Sequence, residues 1–210
     1  VLNDFTVVDL ETTGLDPVAG RITEIAARRY RNGRLCGAMS VLVWAGIAPS
    51  AEALAKTNNG LSLDVLEHHG LDEERCLSKL FLLLDDSVLV AHNAAFEMSW
   101  LHQARLRVFG DDFYNEFLCT KTLAAALLAL PSYSLKALTT LFGIPLENAH
   151  RAMPDVVATR ELLNRLTSMP ACDAALLESL RNCCGANRDG RGAHYPLPAG
   201  LPAHVKEVKQ

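Results

Sequence analysis

Asn32-Gly33 constrains this chain more than any other pair of neighbours. Both residues tolerate positive φ, and a two-residue connection of that kind matches the twist of antiparallel strands. The flanking runs, Arg21 to Tyr30 and Leu35 to Trp44, read as those strands. An earlier run, Phe5-Thr6-Val7-Val8-Asp9-Leu10, is rich in β-branched residues and reads as a buried strand, which completes a three-stranded antiparallel meander. Ser87-Val88-Leu89-Val90-Ala91 is nearly all apolar, as expected of a strand covered on both faces. Helical patterns fall at Ser62 to His69, Asp72 to Leu84 (with Asp72 as N-cap), Ala94 to Arg105, Thr120 to Leu128, Leu135 to Phe142 and Ala152 to Leu166. A meander followed by alternating strand and helix predicts an α/β fold, with helices on both faces of a mixed sheet.

The chain has 210 residues, half of them hydrophobic, enough for one sizeable core. We expect a main domain over residues 1–169. From Pro170 the character changes. Cys172 to Cys183 reads as one more helix, and Gly185 to Gln210, rich in Gly, Pro, Arg and His, as an extended tail. Residues 170–210 are thus a candidate docking or substrate-contacting segment. A net charge of −4 argues against a protein that coats nucleic acid along its length. It does not argue against one that grips a strand end, where bound metal ions supply positive charge locally. No apolar run is long enough to span a bilayer, and the first residues lack the order of a signal peptide. Six cysteines are scattered without a CxxC pair, which reads as free thiols in a cytoplasmic protein. A zinc site from Cys172, Cys183, Cys184 and His194 would fit no standard spacing.

The chemistry gathers in three segments. Asp9 and Glu11 stand two apart at the end of the first strand, so both point to one face. Two carboxylates so placed repel each other and lose hydration unless a cation neutralises them, and an oxygen-only donor set suits Mg²⁺ or Mn²⁺. Thr12-Thr13-Gly14-Leu15 follows at once. Gly14 would permit a tight turn whose amides meet a ligand's oxygens. The second segment, Ala91-His92-Asn93-Ala94-Ala95-Phe96-Glu97, leaves the carboxyl end of the apolar strand, where ligands gather in open α/β sheets. Asn93 is placed to cap the helix or bond a substrate, and Glu97 to face the same cleft from the first helical turns. In the third, His150 sits in a loop and Asp155 near a helix start that Pro154 favours. An imidazole there can take a proton from a water near neutral pH.

Taken together, VVDLETTGLDP, LVAHNAAFEMSWL and HRAMPDVVATRELL, with YSLKALTTLFGIP between the last two, resemble the DEDDh subgroup of the DnaQ-like exonucleases from about Phe5 to Leu166. The resemblance implies a ribonuclease-H-like fold with a five-stranded mixed sheet. It also implies two-metal hydrolysis of a nucleic acid from its 3′ end, releasing nucleoside 5′-monophosphates. By motif position Asp9, Glu11, Glu97 and Asp155 match the metal-binding carboxylates and His150 the general base. Thr12, Thr13, Gly14 and Leu15 match the loop against the terminal nucleotide. Glu97 departs from the pattern, which usually has aspartate there. The extra methylene puts the geometry of one metal in question, since Mg²⁺ demands close to octahedral coordination. Implied partners are a single-stranded 3′ end and, through the tail, a polymerase or other replication or repair protein. Two alternatives stay open: an RNA-trimming exonuclease, and a weakened member of the family kept for binding or scaffolding.

Overall fold

A computed structural model describes residues 2–46, 61–146 and 151–183. Strand β1 (Asp4–Thr12) is followed by β2 (Ile22–Arg31), β3 (Arg34–Trp44), α1 (Leu63–His69), β4 (Leu71–Asp72) and α2 (Glu73–Leu84). Then come β5 (Val88–Ala91), α3 (Ala95–Phe109), β6 (Phe117–Cys119), α4 (Thr120–Leu127), α5 (Leu135–Phe142), α6 (Ala152–Thr167) and α7 (Ala174–Ser179). The sheet order is β4-β3-β2-β1-β5-β6. The meander β1-β2-β3 is antiparallel, whereas β5 pairs parallel with β1, β6 with β5 and β4 with β3.

Asn32 and Gly33 both adopt positive φ, as the hairpin requires. Consecutive β1 residues feed opposite cores. Val8 and Leu10 pack with Ile25 under α2 and α3, through Leu77, Leu80, Met98 and Leu101. Phe5 and Val7 pack with Ala26 and Tyr30 under α4, α5 and α6, through Leu123, Leu138, Val156 and Leu162. Both faces are therefore covered, and the central strands read as nearly continuous apolar runs for that reason. The acids Asp9 and Glu11 interrupt this pattern only where β1 runs out.

Six strands form the sheet, not five. Leu71–Asp72 and Phe117–Cys119 are too short to show a period in the sequence, so no strand was expected at either. Asp72 caps α2, accepting from the Arg75 amide at 3.1 Å. Helix α3 runs to Phe109, four residues past its expected end at Arg105, and stops where Gly110 turns left-handed at φ 76°. The C-terminal helix is shorter than the expected Cys172–Cys183 span. After it, Asn182 bonds the edge strand β6 from both sides: its amide donates to the Phe117 carbonyl at 2.8 Å and its Oδ1 accepts from the Phe117 amide at 2.9 Å. This contact covers an edge that would otherwise be open to pairing. Cys172, Leu176, Leu177 and Leu180 pack on the second core. Residues 184–210, including Cys184, His194 and the expected tail, lie outside the described residues, as does His150. No helix among the described residues is long and apolar enough to cross a membrane.

Candidate metal centre

The end of β1 and the start of α6 meet at the carboxyl edge of the sheet. Asp9 and Glu11 share a face of β1 because they stand two residues apart in a strand. Asp155 is in the first turn of α6, where Pro154 needs no amide partner. One oxygen from each of Asp9, Glu11 and Asp155 lies within 4.8 Å of the others. The sequence separates these residues by nearly the length of the domain, and the fold brings them together.

Glu97 approaches from the first turn of α3. It is 3% exposed, and its Oε2 is buried without a hydrogen-bond partner. Its oxygens lie outside the three-carboxylate group, yet its charge is felt there. Burial pushes the Asp9 carboxyl well above its usual range, and the charges of Glu97, Asp155, Glu11 and Glu24 push it further. Burial likewise raises Glu97 to about 8, and Glu11 adds to it. Acids of this kind either hold protons or hold a cation. An all-oxygen donor set with an unpartnered buried oxygen beside it fits a hard divalent ion.

The sign of the resulting pH dependence is fixed. A carboxyl whose folded pKa lies above its unfolded value stabilises the fold below the unfolded value, and that contribution is lost as pH rises through the folded one. Without divalent ions, the melting temperature should therefore fall by several degrees between pH 5 and pH 9. Glu97→Gln should flatten that slope. Added Mn²⁺ should raise the melting temperature more at pH 8 than at pH 6, as thermal melts with and without EDTA would read.

The loop after β1 is tied down by its own side chains. Thr12 Oγ1 donates to the Gly14 carbonyl at 2.7 Å. The Thr13 amide donates to the Arg21 carbonyl and its Oγ1 accepts from the Arg21 amide, each at 2.9 Å. Asp16 Oδ1 accepts from the Val18 and Ala19 amides. These bonds hold the turn, and Gly14 sits in it without the left-handed conformation. Among the described residues the Gly14 and Leu15 amides have no acceptor, whereas the Thr13 amide is already engaged. Leu15 is 77% exposed, so it is not a core residue. Gly20 is the glycine that the packing demands, because a Cβ there would overlap the Trp100 ring and the Asp16 carbonyl.

Asn93 does not cap α3. The N-cap is Ala94, no side chain caps the helix, and the Asn93 carbonyl accepts from the Phe96 amide at 2.8 Å. Asn93 instead supplies the turn out of β5, with φ 85°, a conformation that asparagine tolerates better than most residues. His92 beside it was not singled out from sequence. Its Nε2–H donates to the Tyr133 carbonyl at 3.0 Å, so Nδ1 accepts from the Thr120 hydroxyl at 2.9 Å. Burial lowers it to about 4, and it stays neutral at physiological pH as a tie between β5, α4 and the segment before α5. Glu24 and Arg151, which border the acids, were also missed. The pairing of β1 with β2 sets Glu24 opposite Glu11, a register that the Asn32-Gly33 hairpin between β2 and β3 does not specify. No sequence signal pointed to its pairing with Arg151.

Comparison with known proteins agrees with this geometry. The family described as Exonuclease matches residues 6–163. A DNA polymerase III PolC-type protein of Thermotoga maritima is 35% identical over 167 residues, covering 79% of this chain and 12% of its own length. The chain thus spans about an eighth of the PolC-type relatives it matches. A DNA polymerase III subunit epsilon of Aquifex aeolicus is 29% identical, with 77% of this chain and 79% of that protein covered. Among solved structures, E. coli Exonuclease I with single-stranded DNA and zinc superimposes with a TM-score of 0.74 at 21% identity, over 85% of this chain and 43% of that one. That last likeness is one of fold. The described sheet, the acids at its carboxyl edge and a family match over most of the chain lead to one assignment: the chain belongs to the DnaQ-like exonuclease family, with the ribonuclease-H-like fold.

Proposed function

We propose that this chain is a metal-dependent 3′→5′ exonuclease that removes nucleoside 5′-monophosphates from a single-stranded DNA end. The observation that carries the reading is the convergence of Asp9, Glu11 and Asp155, from two distant elements, on one cation-sized space. These acids, with Glu97, would hold two divalent ions, Mg²⁺ or Mn²⁺. When bound, such ions neutralise the charge that builds on the scissile phosphate and acidify the attacking water. Asp9 is the acid on which the fields of the others converge, and it would hold the ions together with Glu11, Asp155 and Glu97. His150, five residues before Asp155, accepts the proton of the attacking water. Thr12 and Thr13 hold the shape of the loop, the Gly14 and Leu15 amides face the terminal sugar, and the Leu15 side chain lies against the last base. Asn93 is the candidate contact from the β5 side. The names of the relatives, DNA polymerase III proteins, favour DNA over RNA and a replication or repair setting with a polymerase partner.

The test is a single-stranded DNA oligonucleotide labelled at its 5′ end, incubated with Mg²⁺ or Mn²⁺ beside its RNA counterpart. The expected result is a ladder that shortens one nucleotide at a time from the 3′ end of the DNA. A faster ladder on RNA would select the RNA-trimming alternative. No ladder on either strand would end the enzyme reading. Glu97→Asp in the same assay tests the longer arm: a rate within about threefold of wild type makes Glu97 a working variant, and a rise of about tenfold or more makes it a handicap.

A pair of glycine variants separates fold from substrate contact. Gly20→Ala should destabilise the fold by roughly 1–3 kcal/mol, since the Trp100 ring must move. Gly14→Ala meets no atom within 4 Å, so the melting temperature should stay at the wild-type value. The KM for the oligonucleotide should nevertheless rise if the DNA backbone approaches Gly14.

A further inference from the structure

Glu24 is an acid with a problem of charge. It lies on β2 directly across from Glu11, so the two side chains stand on one face of the sheet. Its side chain is 3% exposed, and its field reaches Asp9. A buried carboxylate with no partner is costly. The partner is Arg151: Nε donates to Oε2 at 2.9 Å and Nη2 to Oε1 at 3.2 Å, a two-pronged contact that uses both oxygens. Arg151 is also the N-cap of α6, a helix start that no side chain caps, and its carbonyl accepts from the Asp155 amide at 3.4 Å. One residue is thus bonded to β2 by its side chain and to Asp155 by its main chain. Glu24, though it shares the face, does not join Asp9, Glu11 and Asp155 in their group.

We propose that the Glu24–Arg151 ion pair is a positioning latch for the cation site: it fixes the first turn of α6 on β2, so that Asp155 meets Asp9 and Glu11, and it keeps both oxygens of Glu24 away from the ions. The inference rests on the reading of those acids as a cation site. Arg151 is a positioning residue, because it acts on the site through Asp155 and Glu24. The fork matters as well as the charge, since a lysine ammonium cannot reproduce two parallel contacts.

Four variants test it: Arg151→Met, Glu24→Gln, the two combined, and Arg151→Lys. Arg151→Met alone leaves a buried charge unpaired and should lower the melting temperature. The double variant removes that charge and should melt near wild type. In the double variant Mn²⁺ affinity, read by calorimetry, should still fall about 10–100-fold, as supporting residues around a metal site typically require. The kcat for mononucleotide release should fall by a similar factor while KM stays near wild type. Arg151→Lys should recover part of both. A double variant that folds and binds Mn²⁺ as wild type does would overturn the latch. Should the double variant melt early, Arg151→Lys carries the same comparison, and unchanged Mn²⁺ affinity there overturns it. A wild-type protein that binds Mn²⁺ but releases no mononucleotide would end the exonuclease reading, while the affinities would still decide the latch.

Discussion

Asp9→Asn is expected to slow mononucleotide release by about 1,000-fold or more, the cost of losing several kcal/mol of charge stabilisation in the transition state. The substitution keeps the shape of the side chain and removes its charge. Asp9 is where the fields of Glu97, Asp155 and Glu11 converge, so the same change relieves repulsion in the metal-free protein. The variant should therefore be less active and, at pH 8 with EDTA, more stable than wild type. Rate assays and thermal melts read the two effects separately. An acid held for function shows this opposition. A variant both inactive and unstable would mark Asp9 as a structural acid instead.

His150→Ala should lower the rate by about 10²–10⁴-fold, the usual contribution of a positioned general base. Its Mn²⁺ affinity should match wild type, because a base that takes a proton from water is not a ligand of the ions. Loss of metal binding along with activity would make His150 a ligand and not the base.

Much of the fold was legible because its signals are local. Asn32-Gly33 fixes a hairpin through its own backbone preference, and Asp72 caps α2 through its own side chain. The central strands announce their burial by composition. What failed to show is short or depends on partners. Leu71–Asp72 and Phe117–Cys119 become strands only because β3 and β5 offer them edges. The site followed the same division. Spacing on a strand puts Asp9 and Glu11 on one face, and Asp155 and Glu97 stand near helix starts, but only the resemblance of the three segments together made all four candidate ligands. The bend at Gly14 is held by side-chain bonds from Thr12, Thr13 and Asp16, without a left-handed glycine. Gly20, the glycine that Trp100 does require, and Arg151, whose partner is 127 residues away, depend on contacts that no local pattern encodes.

Acids from separated parts of the chain should form one cage for divalent ions. Calorimetric titration of the metal-free protein with Mn²⁺ at pH 7, repeated in buffers of different ionisation heat, tests it most directly. Two ions should bind per chain, with Glu97 giving up a proton as they bind, and this binding should be lost in Asp9→Asn. Absence of binding, or binding that Asp9→Asn leaves intact, would contradict it.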